Sequence, residues 1–242
     1  MMIRPLPLLI ALLATVAMGN PLPRNGEYVD FGVKSHATLN RDATAPVPLS
    51  ASPTFRNKRP VVIDPGHGGR DPGTHGRNEV DEKTVTLAVG RDLVPLLRKD
   101  RIRFILTRDR DKYVSLQHRV AVANQAHAAL FVSLHCDEYS HHSMHGFTVI
   151  YAQGASADSR LAAGLIAAGL KHEHFFCHDV RAEVRHLYVL DNTTCPAVLV
   201  EMGFMSDPRD LKYLCSHGGQ VRLAKGIARG IAAYLHATSR SK

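Results

Sequence analysis

Val61-Val-Ile-Asp-Pro-Gly-His-Gly-Gly69 joins a short apolar run to a glycine-rich turn. A half-exposed strand would alternate polar and apolar residues, whereas Val61–Ile63 is uninterrupted and reads as a strand buried on both faces. Working outward, similar runs at Arg103–Thr107, Leu130–His135, Phe147–Tyr151 and Ala197–Met202 predict further strands. Amphipathic helices are predicted between them, over Asp81–Leu97 with Val85, Val89, Leu93 and Leu97 on one face, over Ser115–Gln125 and over Ala157–Leu170. A last helix carries Leu223, Ile227, Ile231 and Leu235 at four-residue spacing. Pro95 predicts a kink or an early end in the first of these helices. Alternating strands and helices give the fold class: α/β, one domain, a largely parallel twisted sheet flanked by helices.

That architecture makes distant residues converge. In a parallel sheet the loops after the strands share one edge, and the helices that follow begin there. His67 follows the first strand, Glu82 opens the first helix, His135 ends the third strand and Glu201 lies near the end of a later one. Taken singly, a histidine after a strand is usually a capped loop residue, and a glutamate at a helix start serves the dipole. Taken together at one edge, two imidazoles and a carboxylate make a metal triad with room for water, and a further carboxylate can act as base. Glu79 lies one helical turn before Glu82, so spacing alone leaves two candidates for the carboxylate ligand.

The 242 residues, 45% hydrophobic and 21% charged, suffice for one full core. Met1–Arg4, the apolar Leu6–Ala17 and Ala17-Met18-Gly19 read as a signal peptide over 1–19, too short for a stable span. Its removal would leave no membrane-spanning segment and an exported protein, periplasmic or, without an outer membrane, secreted or wall-associated. Residues 20–58, spotted with Pro21, Pro23, Pro46, Pro48 and Pro53, read as a flexible lead-in, 59–237 as the catalytic domain and 238–242 as a tail. The formal charge is +8, and loss of residues 1–19 takes away Arg4 alone, leaving +7. The charge is dispersed, with no basic block, so envelope polymers are expected as polyanionic partners and nucleic acid is not. Cys136, Cys177, Cys195 and Cys215 contain no CxxC pair and allow three complete pairings in an oxidising compartment. Cys136 should point away from His135, into the core.

Asp64-Pro-Gly-His-Gly-Gly69, Asp71-Pro-Gly73, Glu82-Lys83, Ser133-Leu-His135 and Pro196-Ala-Val-Leu-Val-Glu-Met-Gly-Phe-Met-Ser-Asp-Pro208 occur in that order. With Thr107-Arg108, Leu116, Arg119 and Ala123-Asn124 between them, the chain closely resembles the zinc-dependent N-acetylmuramoyl-L-alanine amidases of the type 3 family. The resemblance runs from about Arg59 to Leu235. It implies zinc held by His67, Glu82 and His135, the Glu-Lys pair favouring Glu82 over Glu79, and Glu201 as general base. The implied reaction is hydrolysis of the amide joining the lactyl group of N-acetylmuramic acid to L-alanine of the stem peptide in peptidoglycan, serving wall remodelling or cell separation.

His141, His142 and His145 lie in a polar stretch and read as an exposed loop rather than a second metal site. Tyr151 passes through Gln153–Asp158 directly into a helix, which leaves little room for an inserted segment to plug the zinc site, and an open site is expected. A protein activator remains an open partner, and a monomer is expected. Two other readings share the sequence: a zinc hydrolase of another exported amide, and a silent wall-binding scaffold, for which Glu201 would have no use.

Overall fold

The computed structural model describes residues 58–76, 79–139 and 144–239. The signal peptide, almost all of the lead-in, His141 and His142 lie outside them. Six strands, β1 (Val61–Pro65), β2 (Phe104–Leu106), β3 (Leu130–Asp137), β4 (Phe147–Ala152), β5 (Cys177–Glu183) and β6 (Ala197–Phe204), form one sheet in the order β2-β1-β3-β6-β4-β5. β2, β1, β3 and β6 are mutually parallel; β4 runs antiparallel to β6 and parallel to β5. β3 therefore ends, and β4 begins, at the same edge.

Six helices accompany the sheet: α1 (Glu82–Lys99), α2 (Leu116–Gln125), α3 (Ala157–His172), α4 (Tyr188–Asp191), α5 (Pro208–Leu214) and α6 (His217–Ser239). The larger core lies on one face, where Val61, Ile63, Val132, Leu134 and Val200 meet Val85, Val89, Leu93 and Leu97 of α1, Ile166 and Leu170 of α3, and Leu223, Ile227 and Ile231 of α6. Cys136 belongs to this core. The opposite face carries a smaller core, in which Val62, Phe131, Ile150 and Leu199 pack against Val120, Val122 and Ala123 of α2 and Val189 and Leu190 of α4. Every residue of β1 is buried, as an apolar run bonded on both sides by parallel neighbours requires.

Two sequence expectations need correcting. Of the two outcomes expected at Pro95, a kink or an early end, the early end does not occur: α1 continues to Lys99. Pro95 is exposed and sits in the penultimate turn, while Leu93 and Leu97 on either side are fully buried and hold that turn on the core. The strand β5 has no counterpart among the predicted elements. Cys-His-Asp-Val-Arg-Ala-Glu lacks an apolar run because β5 is an edge strand, covered on one side only. α6 runs to Ser239, into the expected tail. All four cysteines are thiols, so none of the three pairings is formed. No helix among the described residues is long and apolar enough to cross a membrane.

Candidate metal centre

His67, Glu82 and His135 meet at the shared strand edge, each offering a ligand atom within 4.8 Å of the others. His67 Nε2 lies 3.1 Å from Glu82 Oε2, and His135 Nδ1 lies 2.9 Å from Glu82 Oε1. Both spacings are close to the roughly 3.3 Å edge of a tetrahedron built on 2.0–2.1 Å bonds to zinc. The imidazole rings stand edge to face, 4.9 Å between centroids. Glu79 is exposed and outside this group; of the two carboxylates that spacing left as candidates, Glu82 is the one beside the imidazoles. Among the described residues no fourth histidine, cysteine or carboxylate joins the cluster. His145 stacks on Phe176 instead.

Local sequence accounts for the convergence. His67 adopts φ 59°, a conformation that costs a side-chain-bearing residue energy and survives only where the surroundings enforce it. Two buried arginines do the enforcing. Arg119 of α2 donates from Nη2 to the His67 carbonyl at 2.7 Å, from Nη1 to the Pro65 carbonyl at 2.8 Å, and pairs through Nη1 with Asp64 at 2.6 Å. Arg108 donates to the carbonyls of Pro65, Gly66 and Lys83, tying the turn to the start of α1. Asp64 also accepts from Thr107 and Ser133, so the charge beneath the loop is fully partnered. Asn124 accepts from the Thr194 amide and donates to the Asn192 carbonyl, joining α2 to the segment before β6. Of the intermediate sequence markers, Thr107, Arg108 and Arg119 thus brace the loop, and Asn124 braces the opposite edge of the sheet.

The glycines are there for space. A Cβ at Gly66 would overlap the His135 ring, and one at Gly73 would lie 2.5 Å from Glu82 Oε2. Glu82 is held further by the Thr74 amide on Oε2 and the Cys136 amide on Oε1, both at 2.9 Å. Asp71 places a carboxylate oxygen 3.0 Å from His67 Nδ1, a counter-charge beside the ring; its motif had marked the loop, but nothing in the sequence singled out that contact.

Electrostatics make the cluster receptive to a cation. Burial would raise the Glu82 carboxyl, yet its bonds to His135 and His67 hold it well below the ordinary value. Burial would lower His67, but Glu82 and Asp71 outweigh it and its pKa lies above the usual one. Glu201 pairs directly with His135 across β3 and β6, placing its side chain on the same face of the sheet. Burial, then repulsion from Asp137 and Glu82, pushes the Glu201 carboxyl far up. Asp137, which sequence reading did not single out, ends β3, and its own carboxyl is likewise raised by burial. Two imidazoles and the ionised Glu82 carboxylate form a donor set that a divalent cation would stabilise, with the buried carboxyls of Glu201 and Asp137 near enough to act on it through charge.

Comparison with known proteins agrees with this geometry. The family described as N-acetylmuramoyl-L-alanine amidase matches residues 61–233. The N-acetylmuramoyl-L-alanine amidase AmiA of Escherichia coli is 29% identical over 222 residues, covering 74% of this chain and 77% of that protein. Among solved structures, the amidase AmiC2 of Nostoc punctiforme is 34% identical, with a TM-score of 0.67 over 74% of this chain and 98% of that one. The CwlD amidase from Clostridioides difficile, solved in complex with the GerS lipoprotein, is 26% identical, with a TM-score of 0.70 over 74% and 99%. An α/β sheet that brings these motifs to one edge, matched over most of its length, makes this chain a member of the N-acetylmuramoyl-L-alanine amidase family.

Proposed function

We propose that this chain is a zinc-dependent hydrolase of the amide between the lactyl group of N-acetylmuramic acid and L-alanine in peptidoglycan. The observation that carries the proposal is the meeting of His67, Glu82 and His135 at one edge with Glu201 in register beside them. The three would hold zinc, which when bound supplies Lewis acidity toward the scissile carbonyl and the attacking water. Asp71 stands 3.0 Å from His67 Nδ1 as a counter-charge, and the Thr74 and Cys136 amides keep Glu82 in place. Glu201 takes the proton from the attacking water and passes it to the leaving amine of L-alanine. A carboxyl raised by burial is suited to both transfers, and a dication nearby lowers it toward working pH.

The link between β4 and α3, residues 153–156, lies at the sheet edge opposite the triad; the site is read as open because, among the described residues, no further histidine, cysteine or carboxylate closes on His67, Glu82 and His135. Export through a cleaved signal peptide, periplasmic residence and a part in cell separation complete the reading. CwlD has been solved with a lipoprotein partner, which supports a protein activator here as well.

The test is digestion of purified sacculi by the chain lacking residues 1–19, with and without chelator, alongside Glu201→Ala, with products read by mass spectrometry. The expected result is release of intact stem peptides bearing a free L-alanine amine, abolished by chelator and by the substitution while zinc stays bound to the variant. A folded, zinc-loaded protein that cleaves other bonds in the wall, or full activity in Glu201→Ala, would overturn the assignment.

A further inference from the structure

Thr148 lies on β4 directly opposite Glu201 on β6 in the antiparallel pair. Side chains so paired share a face, with Cβ atoms about 4.5–5.5 Å apart. The row across the sheet therefore runs His135, Glu201, Thr148. Thr148 is 1% exposed, yet its hydroxyl has no hydrogen-bond partner among the described residues. Glu201 Oε2 is also buried and also without a partner there. Buried polar atoms are nearly always satisfied, so two orphans side by side on adjacent strands are an exception that calls for a cause. A valine would fill the same space on β4 without the unsatisfied oxygen.

We infer that Thr148 is a positioning residue for the proposed base: its hydroxyl donates to Glu201 Oε2 when the carboxylate is ionised, leaving Oε1 to exchange protons with water and the leaving amine. The inference rests on the amidase reading for the role of Glu201, but the contact itself does not. The terminal torsion of a glutamate is broad, so rotating the carboxyl to meet the hydroxyl strains no rotamer. A threonine on a strand holds its χ1 firmly, so the donor, once oriented, stays in place. No other group among the described residues supplies Oε2 with a donor. Arg185 and Arg181, whose charges act on Glu201, are engaged with Glu183.

The experiment compares Thr148→Val, which keeps the shape and removes the hydroxyl, with Thr148→Ser, which keeps the hydroxyl. Two readouts are needed in the zinc-loaded and zinc-free chain: kcat and KM on soluble muropeptide, and the 13Cδ shift of Glu201 at a pH where it is ionised, assigned by its loss in Glu201→Gln. The expected result for Thr148→Val is a kcat lower by about tenfold, the size of one hydrogen bond to a charged group, with KM unchanged within about twofold. Its Glu201 carboxylate signal should also move, and Thr148→Ser should restore most of both. In a Glu201→Gln background, Thr148→Val should cost nothing further. Identical kcat and identical carboxylate shift in Thr148→Val would overturn the inference while leaving the amidase reading intact. A wild-type chain that cleaves no muropeptide but shows the Thr148-dependent shift would overturn the activity and keep the contact.

Discussion

At the scale of single residues, the site is built as much by missing side chains as by present ones. Gly73 has φ 69°, and a methyl group there would collide with Glu82 Oε2 and the His67 ring. Gly73→Ala is therefore expected to weaken zinc binding at least tenfold, on the scale seen when the support of a metal ligand is disturbed, as isothermal titration would show. Gly164 offers the contrast: it lies exposed in the middle of α3, and a methyl group added there would meet nothing within 4 Å. Gly164→Ala should stabilise the fold by about 0.5–1 kcal/mol through helix propensity alone, measurable as a higher urea midpoint. His67, Glu82, His135 and Glu201 were legible in the sequence because each stands at the end of a recognisable element. Asp71, Asp137 and Thr148 were not, because their neighbours are fixed by loop geometry and by which strands pair, which no local spacing encodes.

At the scale of elements, the closest packing is between α3 and α6. A Cβ at Gly169 would overlap the Gly226 carbonyl, and one at Gly230 would overlap Ile166 Cα, so the two backbones touch. Gly230→Val must push the helices apart and is expected to cost at least 1–3 kcal/mol, roughly the usual range for overpacking, read as a lower urea midpoint. α5 begins at Asp207, whose carboxylate accepts from the Arg209 and Asp210 amides and pairs with the Arg209 guanidinium at 2.8 Å. Arg209 holds this carboxyl at about 2, below its ordinary 3.8. A folded pKa below the unfolded one contributes stability that is present above pH 3.8 and lost as pH falls through 2. Asp207→Asn keeps a good cap but no charge, so its urea midpoint should fall less between about pH 5 and pH 2 than that of the wild type. The elements that the sequence revealed were those with apolar runs or a clean helical stripe, such as β1 and α1. β5 escaped because an edge strand can carry His178, Asp179, Arg181 and Glu183 without burying them all, and the short α4 and α5 were too brief to show a period.

At the scale of the whole molecule, the two faces of the sheet have divided the work. The α1, α3 and α6 face carries the larger core, whereas the α2 and α4 face holds the smaller one and, at its upper margin, the row that includes His135 and Glu201. Zinc bound to the folded state alone should add about 2.7 kcal/mol at a hundredfold excess over its Kd. For a domain of this size that is a rise in Tm of roughly 5–10 °C; calorimetry before and after chelation would show it, and an unchanged Tm would argue against a folded-state metal site. The reversal of direction at β4 has a further consequence. Because β3 leaves the sheet and β4 enters it at the same edge, the link between them never has to cross the molecule. Its length can change without altering any crossover or strand register, and added chain costs little in closure entropy. A sensor or binding module grafted there would join the sheet at the edge where the triad meets while leaving the folding problem of the sheet as it was, which makes that link the natural point for engineering control over this enzyme.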